Sequence, residues 1–429
     1  MSLILKYGIA ACIRFMLLNS KYMQTISDRI EISTPLNSWK RILEGTYLYE
    51  HVVDPYDGDL FHESPLILVS GSYLLKHFPG LLSFIFITLD LLTAFCLAKT
   101  AELFMHELMQ KQGNNKSSYS KDIIEQLLIK DSQFKIIPVY VATCYLFNPY
   151  TILSCAGMAT AVLANLFLAL TFFGMIYGSR ILSCVSLAMA SIQSLYPAIL
   201  LFPIIIYINQ KSSSRVKCSA LRTLIIYFVC VAALLYISSL IVGSWKFIHA
   251  TYGFILNVPD LRPNVGLFWY FFTEMFEHFR PLFICAFQIN ATFLYLLPLS
   301  LRLKHEPMLL ATSLAALIAI FKSYPGLGDV GFYLALLPMW KHLFYNMQQG
   351  FIVGCFFIVT SVLGPTVWHL WIYSKSANAN FFFGVTLAFA TAQIFLVTDI
   401  LFAYIKREYT LKSGLKRILK GKPAKLALE

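Results

Sequence analysis

Charged residues are scarce in this sequence. Only 13% of its 429 residues are Asp, Glu, Lys or Arg, whereas 58% are hydrophobic. A soluble globule of this size needs more charge than that to cover its surface. The composition therefore excludes a soluble enzyme and indicates an integral membrane protein.

Closely spaced cysteine pairs are also missing. The nine cysteines include no Cys-x-x-Cys pair, and they fall within apolar segments or at the edges of such segments. A disulfide framework or a zinc site needs cysteines at shorter and more regular spacings. The pattern favours neither of these sites, and the sequence predicts no metal and no cofactor.

The sequence instead contains long apolar runs. A bilayer-spanning helix needs about 20 mostly apolar residues. Uninterrupted candidates lie near 2–20, 80–100, 158–178, 222–243, 281–301, 351–372 and 381–405. The first candidate lacks a small-residue cleavage site, so we interpret it as a retained helix rather than a signal peptide.

Three further apolar segments are interrupted. The breaks are Asn148-Pro149 in 136–157, Pro197 and Pro203 in 180–210, and the stretch Tyr-Pro-Gly-Leu-Gly in 308–346. Polar backbone is tolerated at membrane depth only where it is buried in protein or lines a cavity. We therefore expect a single all-α membrane domain over 1–429, with about 10 to 12 transmembrane helices, several of them broken or short, around an internal cavity.

Basic residues predict the orientation of the chain, because cytosolic loops carry the excess of Lys and Arg. The tail 406–429 is strongly basic and should be cytosolic, and the loop 101–135 should lie on the same side. The opposite, lumenal side then receives a first loop at 21–79, a second at 244–280 and a turn at 373–380. This assignment requires an even number of crossings within 136–210. Because the basic residues flank predicted spans, we explain them by topology and lipid and predict no nucleic-acid partner.

An acidic stretch in the first loop is the best candidate for catalysis. The sequence HVVDPYDGDLFHESPL at 51–66 contains Asp57-Gly58-Asp59, a D-x-D motif. Multi-spanning glycosyltransferases that use dolichol-linked sugars keep catalytic acids in their first lumenal loop, where paired carboxylates hold a cation or act as a base. The alternative is a turn whose Pro, Gly and Asp residues serve the backbone and whose carboxylates are solvated.

Two carboxylates lie inside predicted spans. Asp90 and Asp399 would each cost about 2 to 3 kcal/mol at the centre of a membrane helix. They should therefore face the bundle interior or a partner subunit. A hydrogen bond to a polar neighbour and a functional role are both compatible with this placement.

The segment GLFWYFFTEMFEHFRPLF at 266–283 is rich in aromatic residues. Aromatic side chains concentrate at the headgroup level, so one interpretation is an interfacial helix in the membrane plane. A second, compatible interpretation is one wall of a lipid-binding cavity. Its proposed acyl-chain contacts are Phe268, Trp269, Phe271 and Phe272.

The segment WHLWIYSKSANANFFF at 368–383 ends one predicted span and begins the next. Its polar turn offers Ser376, Asn378 and Asn380 as neutral donors and acceptors for sugar hydroxyls or phosphate oxygens. The two asparagines would point the same way if the turn is extended. The alternative is a purely structural turn in which Asn380 is the N-cap of the last helix.

Several stretches resemble the PIG-U family, the polytopic subunit of glycosylphosphatidylinositol (GPI) transamidase. They are FNPYTILSCAG at 147–157, SLYPAILLFP at 194–203, YGFILNVPDLRPNVGLFWYFFTEMFEHF at 252–279, AIFKSYPGLGDVGFY at 319–333 and WHLWIYSKSANANFF at 368–382. The resemblance extends over almost the whole chain. It implies a protein of the endoplasmic reticulum membrane with a bundle like the glycosyltransferase C fold and with lumenal interfacial helices.

The resemblance also implies a role without covalent chemistry. In that complex a caspase-like subunit, PIG-K, cleaves the precursor and transfers it to the GPI lipid, and the other partners are PIG-T, PIG-S and the GPI attachment protein subunit. The family's lumenal turn, here Asn378 and Asn380, is associated with GPI contact, and the aromatic stretch with the acyl chains. In the first loop the family pattern covers 55–58 and 61–66 without the D-x-D acids.

The leading hypothesis is thus a non-catalytic subunit that recognises and presents the GPI lipid through Ser376, Asn378, Asn380 and the four aromatic residues. The alternative is a glycosyltransferase that uses Asp57 and Asp59. A third possibility is a scaffold that positions the catalytic subunit and never touches lipid.

The predicted topology can be tested at the sequon Asn115-Lys116-Ser117. Glycosylation acts on the lumenal side, and this site lies in a loop that we place in the cytosol. We expect no change in electrophoretic mobility of the full-length protein after endoglycosidase treatment. A glycan on Asn115 would reverse the orientation.

Overall fold

The computed structural model describes residues 2–120, 127–211, 216–414, 418–419 and 422–423. In that part of the chain nearly all regular structure is helical, as the apolar runs predict. The exception is a two-residue antiparallel pair, β1 (Ile418–Leu419) and β2 (Lys422–Pro423), with Ile418 opposite Pro423. The predicted all-α class is confirmed.

The helices of the described residues follow one another with short connections. In chain order they are α1 (Leu3–Leu18), α2 (Met23–Ser27), α3 (Trp39–Glu50), α4 (Pro65–His77), α5 (Leu82–Asn115), α6 (Asp131–Leu146), α7 (Pro149–Ala156), α8 (Ala161–Tyr177), α9 (Arg180–Gln193), α10 (Leu201–Lys211), α11 (Val216–Val242), α12 (Lys246–Ile248), α13 (Phe254–Asn257), α14 (Phe268–Thr273), α15 (Arg280–Ile289), α16 (Leu296–Arg302), α17 (Pro307–Phe321), α18 (Leu327–Leu336), α19 (Gly350–Ile372) and α20 (Ala379–Ser413). Stretches of 3₁₀ or π-helix, 3 to 10 residues long, lie at Pro79–Leu81, Lys116–Ser118, Tyr196–Leu200, His249–Gly253, Asn290–Leu294 and Leu337–Asn346.

The chain divides into two compact units. The first comprises Met1–Leu97 and Ala142–Ala335, and the second comprises Ala98–Val141 and Leu336–Glu429. Each is described by itself below. The assignment of 1–429 to one membrane domain stays a prediction.

Membrane-spanning helices are present in the described residues. Five are long and apolar enough to cross a bilayer: Pro79–Ser118, Cys218–Val242, Arg280–Arg302, Gly350–Ile372 and Ala379–Ser413. The pair Gln133–Leu146 and Pro149–Ala156 adds a sixth if it forms one bent span. The expected 10 to 12 spans would also require the shorter helices, among them α8, α9 and α17, to cross.

The predicted interruptions occur where the sequence places them, except at Pro203, which lies in the first turn of α10 and does not break it, because proline is tolerated there. At Asn148-Pro149 the chain bends by 47° between α6 and α7, and the Asn148 side chain caps α7 by accepting from the amide of Tyr150. Pro197 lies in the 3₁₀ turn before α10, and the stretch that begins at Tyr324 separates α17 from α18. Proline and glycine thus end these helices for the expected backbone reasons.

Helices α8 and α9 form a tight antiparallel hairpin in the first unit. Gly178 ends α8 in the left-handed region, with φ of 84°. A Cβ atom on Gly174 would lie 2.8 Å from the backbone nitrogen of Ser183, so only glycine permits this approach. The hairpin is therefore specified by two glycines.

A buried ion pair joins α1, α5 and α6 within the first unit. The Nε atom of Arg14 lies 2.5 Å from the Asp90 carboxylate, and the Tyr145 hydroxyl donates to the same carboxylate at 2.8 Å. Arg14 Nη1 also donates to the carbonyl oxygen of Leu146 at 2.9 Å. Asp90 is thereby assigned a structural partner inside the chain.

Asp399 has a different role in the second unit. Its carboxylate, on α20, accepts hydrogen bonds from the backbone amides of Gln348 and Gln349 at the start of α19. These amides have no partner within α19, and a carboxylate is favourable at the positive end of a helix. Asp399 therefore fixes α19 against α20.

Some predicted segments extend outside the described residues. They are 121–126 of the loop 101–135, and 415–417, 420–421 and 424–429 of the basic tail 406–429.

The buried ion pair allows a test by substitution. Arg14→Leu or Asp90→Leu alone should lower the free energy of unfolding by about 3 to 5 kcal/mol, because each leaves one charge buried without its partner. The Arg14→Leu, Asp90→Leu double variant should lose less than either single variant. Unfolding of the detergent-solubilised chain measures the coupling.

The exposed pair of Lys99 and Glu102, 2.8 Å apart, is the matched control. Lys99→Ala should change the free energy of unfolding by about 0 to 1 kcal/mol. Additive losses at Arg14 and Asp90 would contradict the assignment.

Candidate functional site

The D-x-D motif lies on an exposed turn before α4. Asp57 pairs with Lys246 at 2.8 Å, and the same ammonium group lies 3.8 Å from Asp54. The hydrogen bond to Asp57 raises the pKa of Lys246. Asp59 is exposed as well, and no three His, Cys, Asp or Glu side chains of the described residues are grouped as a metal site. The lysine therefore joins Asp57 to Asp54, and the D-x-D carboxylates do not share a partner.

The rest of this loop belongs to the hydrophobic core of the first unit. Tyr56 and Phe61 are buried with ring centroids 5.3 Å apart, and the Tyr56 hydroxyl donates to the carbonyl oxygen of Glu63. Phe61 lies so close to Gly45 of α3 that a Cβ atom there would be 2.5 Å from the ring. Ser64 is the N-cap and Pro65 the first residue of α4. The apolar residues of the loop are packed in the core, whereas Asp57 and Asp59 are exposed.

Glu63 is the one acid of this loop that is fully buried. The Thr160 hydroxyl donates to its Oε1 atom, whereas Oε2 has no hydrogen-bond partner among the described residues. Burial raises the pKa of Glu63 from 4.5 to about 8, because a carboxylate loses its hydration there. At neutral pH the side chain is mostly the neutral acid. Its hydrogen bond with Thr160 ties the loop to the start of α8.

His62 begins a column of stacked rings. It stacks on Phe254 at 3.6 Å, and Phe254 stacks on Tyr324 at 5.2 Å. The imidazole nitrogens lie 2.8 Å and 3.1 Å from the carbonyl oxygens of Ala250 and Asp59. Burial lowers the pKa of His62, whereas the two carbonyl contacts act in the opposite direction. The column connects the first loop to the aromatic segment.

The aromatic segment forms α14 and the start of α15. Of the four predicted acyl-chain contacts, Phe268, Trp269 and Phe272 are buried inside the unit, where Phe268 and Phe272 pack with Phe254 and Tyr324. Only Phe271, 39% exposed, presents its ring to the surroundings. Three of the four residues therefore lie in the core of the unit, and their contact with acyl chains stays a prediction.

The exposed face of this segment contains other residues. Phe276 is 82% exposed, and Phe279, Leu282 and Phe283 are also exposed. They lie in the turn after α14 and on the first turn of α15. These residues follow the four predicted contacts in the sequence. The exposed apolar surface therefore lies beyond the end of α14.

A hydrogen-bond network fixes the aromatic segment from behind. The Tyr196 hydroxyl donates to the Gln288 side chain at 2.8 Å, and Gln288 donates to Ser323 at 2.9 Å and to the carbonyl of Ile255 at 2.8 Å. Ser323 donates to the same carbonyl. All three side chains are buried, so the network holds α13 and α15 to the break before α18.

The polar turn between α19 and α20 is exposed in the second unit. The backbone amides of Ser376 and Ala377 donate to the carbonyl of Leu370 at 2.9 Å and 3.3 Å, which closes the end of α19. Asn378 begins α20, and its Oδ1 atom accepts from the amides of Asn380 and Phe381. Ser376, Asn378 and Asn380 therefore lie within one exposed turn, as predicted.

The assignment of the cap is corrected by this geometry. Asn378, not Asn380, is the N-cap, because α20 begins at Ala379 and places Asn380 in its first turn. Asn378 is extended and Asn380 is helical, so the fully extended turn that would align the two side chains is not formed. Because Oδ1 of Asn378 is used by the cap, its contribution to a ligand is the Nδ2 donor.

The sequence was compared with known proteins. It matches the family described as GPI transamidase subunit PIG-U over residues 8–389. The human GPI-anchor transamidase component PIGU is 42% identical, with 100% of this chain and 99% of the human protein covered. The GPI transamidase component GAB1 homolog of Schizosaccharomyces pombe is 29% identical, with 93% and 92% covered, and the Saccharomyces cerevisiae GAB1 component is 28% identical, with 90% of each covered.

The chain belongs to the PIG-U family of GPI transamidase subunits. The resemblance of its motifs is thereby confirmed. In this PIG-U protein the first loop combines a packed apolar part with an exposed acidic turn.

Within this PIG-U protein the structure brings together two sets of predicted residues. Ser376, Asn378 and Asn380 share one turn of the second unit, and the four aromatic residues share α14 of the first unit. Sequence reasoning missed Glu63 as the buried acid of the loop. Its flanking residues, His62 and Ser64, are polar, so the local sequence contained no clear signal of its burial.

Glu63 makes the stability of this PIG-U chain depend on pH. An acid whose folded pKa is raised contributes stability that is present below pH 4.5 and is lost as pH rises to about 8. The slope should approach about 1.4 kcal/mol per pH unit in that interval. Thermal unfolding in detergent between pH 5.5 and 7.5 measures it.

Glu63→Gln is the matched variant, because it keeps an acceptor for Thr160 and cannot ionise. The difference in melting temperature between pH 5.5 and 7.5 should be smaller in this variant than in the unmodified chain. Equal pH dependence in both proteins would show that Glu63 is ionised in the folded state.

Proposed function

We propose that this PIG-U protein is a non-catalytic subunit of GPI transamidase that recognises the GPI lipid and presents it for attachment to precursor proteins. The observation that carries the proposal is the exposed turn of Ser376, Asn378 and Asn380 at the start of α20. The amides of Asn380 and Phe381 are already capped by Asn378, so it is the helix dipole that favours phosphate at this N-terminus. Amide side chains add uncharged donors for the same oxygens.

The aromatic surface supports a second part of the proposal. We assign acyl-chain contact to Phe271 together with the exposed residues that follow it, Phe276, Phe279 and Phe283. Phe268, Trp269 and Phe272 support this surface from the core. Flat rings provide apolar contact area with few rotatable bonds, which limits the entropy lost on binding.

The location and partners form part of the same proposal. The chain would lie in the endoplasmic reticulum membrane with the turn 373–380 in the lumen and the C-terminus in the cytosol. It would work beside PIG-K, PIG-T, PIG-S and the GPI attachment protein subunit, and PIG-K would perform the cleavage and transfer. Human and yeast relatives named as transamidase components support the assignment to such a complex.

Replacement of both asparagines tests lipid recognition. Asn378→Leu with Asn380→Leu should reduce GPI attachment by at least about tenfold, since hydrogen bonds to a charged group are lost. Flow cytometry of GPI-anchored proteins on cells that lack the endogenous protein measures the effect. The other subunits should still co-purify.

The cap requires its own control. Asn378→Ser keeps an oxygen that caps α20 but removes the Nδ2 donor, so it separates ligand contact from helix capping. With Asn380→Leu it should reproduce the defect. Normal display of GPI-anchored proteins by the double leucine variant would refute the proposal.

Asp57→Asn with Asp59→Asn distinguishes the glycosyltransferase alternative. We expect full rescue, because the pairing of Asp57 with Lys246 is a surface contact. Accumulation of a GPI precursor that lacks a sugar would support an enzyme instead. Ordered lipid density beside the turn 373–380, in a structure of the complex, would exclude a pure scaffold.

A further inference from the structure

Two long spans of the first unit bring two basic segments to one side of the membrane. Cys218–Val242 and Arg280–Arg302 are candidate spans, and the helical stretches between them, 246–257 and Phe268–Thr273, are too short to cross. The start of the first span and the end of the second therefore lie on the same side. The Nε2 atom of Gln210, before the first span, donates to the carbonyl oxygen of Lys304, after the second, at 2.5 Å.

Other helix ends contact one another at the same place. The Lys211 ammonium group, at the end of α10, donates to the carbonyl oxygen of Ile176 near the end of α8 at 2.9 Å. The Cδ atom of Lys211 lies 3.9 Å from the Cβ position of Gly178, which ends α8. Arg180, the first residue of α9, donates from Nη2 to the Ser219 hydroxyl of α11 at 2.9 Å. Printed contacts thus connect the ends of α8, α9, α10 and α11 with the turn after α16.

Five basic residues lie on these connected helix ends. Arg222 follows Ser219 by one helical turn of α11, and Arg302 precedes Lys304 by two residues. We call the five residues the basic edge: Arg180, Lys211, Arg222, Arg302 and Lys304.

The sequence around the basic edge contains few acids. No Asp or Glu occurs between Asp131 and Asp260, and Glu306, half-buried, is the acid nearest to Lys304 in the sequence. Arg222, Arg302 and Lys304 are exposed, and within the part of the chain that the structure describes no ion pair joins these three to an acid. Their charges therefore attract an anionic ligand.

Exposed apolar side chains adjoin the basic residues in the sequence. Ile181 follows Arg180, Leu221 precedes Arg222, and Leu301 precedes Arg302. The three apolar side chains are 57 to 68% exposed, and two of them belong to the candidate spans. Basic groups beside apolar ones at the end of a span suit a molecule with a charged headgroup and acyl chains. A soluble anion would use the charges alone.

We propose that the basic edge binds the phosphate-bearing headgroup of an anionic phospholipid, whose acyl chains lie against Leu221 and Leu301. The excess of Lys and Arg marks this side as cytosolic, and the cytosolic leaflet carries anionic lipid. Lys246, beyond the other end of the first span, pairs with Asp57, so the site is on the side opposite to the first loop. The proposal is independent of GPI recognition at Asn378 and Asn380.

Neutral variants test the basic edge. The triple variant Arg222→Gln, Arg302→Gln, Lys304→Gln removes three exposed charges, so its melting temperature in detergent should be unchanged. Native mass spectrometry of the full-length chain, titrated with phosphatidylserine or phosphatidylcholine, measures lipid affinity. The unmodified chain should bind phosphatidylserine about tenfold more tightly than phosphatidylcholine, and the triple variant should lose this preference. Each single variant should lose part of it, so the result does not depend on the folding of the triple variant.

A control with the same change in net charge separates this site from general attraction. Lys21→Gln, Lys76→Gln and Lys246→Gln together neutralise three exposed lysines of the first unit outside the basic edge. This variant should keep the preference for phosphatidylserine. The proposal would be overturned by an equal loss in both triple variants, by an unchanged preference in the edge variants, or by no preference in the unmodified chain.

Inorganic phosphate distinguishes a lipid site from a site for a soluble anion. At a concentration equal to that of phosphatidylserine it should not displace the lipid, because it lacks the apolar part. Complete displacement would contradict the assignment to a phospholipid. All these variants retain Asn378 and Asn380, so a negative result here leaves the test of GPI recognition unaltered.

Discussion

Polar groups at membrane depth must find their hydrogen-bond partners inside the protein, and this constraint organises the first unit. Where α6 breaks before Asn148, its last carbonyl groups lose their helical partners. Arg14 donates to the carbonyl of Leu146, and the Thr151 hydroxyl donates to that of Tyr145. The charge that Arg14 brings is then balanced by Asp90. The buried ion pair therefore also satisfies a carbonyl group that the break in α6 leaves without its helical partner.

The same constraint explains the aromatic segment. The end of α13 leaves the carbonyl of Ile255 at a break, and Gln288 and Ser323 both donate to it. Tyr196 then satisfies the acceptor of Gln288. This network pairs the side chains of Tyr196, Gln288 and Ser323, and the rings of Phe268 and Phe272 pack in a separate apolar cluster with Phe254 and Tyr324.

The sequence predicted the features that depend on local pattern. Apolar runs located the long helices, and Asn148-Pro149 located a break. The partner of Asp90 was harder to predict. Arg14, a charged residue in another apolar run, was the available signal, because charged residues inside membrane spans usually pair with one another. In α14 nearly every position is aromatic, so no polar residue marks which side faces outward. The exposed rings could not be identified without the packing of Phe254 and Tyr324 against α14.

The acidic loop shows that residue type alone does not reveal which of its acids is buried. Asp57 and Asp59 form the recognisable motif, but both are exposed. Glu63 has no motif, and only its contact with Thr160 in a closed core distinguishes it. Burial decides chemical character here, and burial depends on the three-dimensional neighbours of the loop.

In the turn before α20, Asn378 caps the helix with its Oδ1 atom and keeps its Nδ2 group as a donor. Capping uses the Oδ1 atom of Asn378, so the side chain has only donors left for a ligand. Asn380 lies in the first helical turn, where the helix dipole favours negative charge. Donors and dipole both select for an acceptor that carries negative charge. If the turn binds the GPI lipid as proposed, a phosphate would meet that requirement better than a sugar hydroxyl.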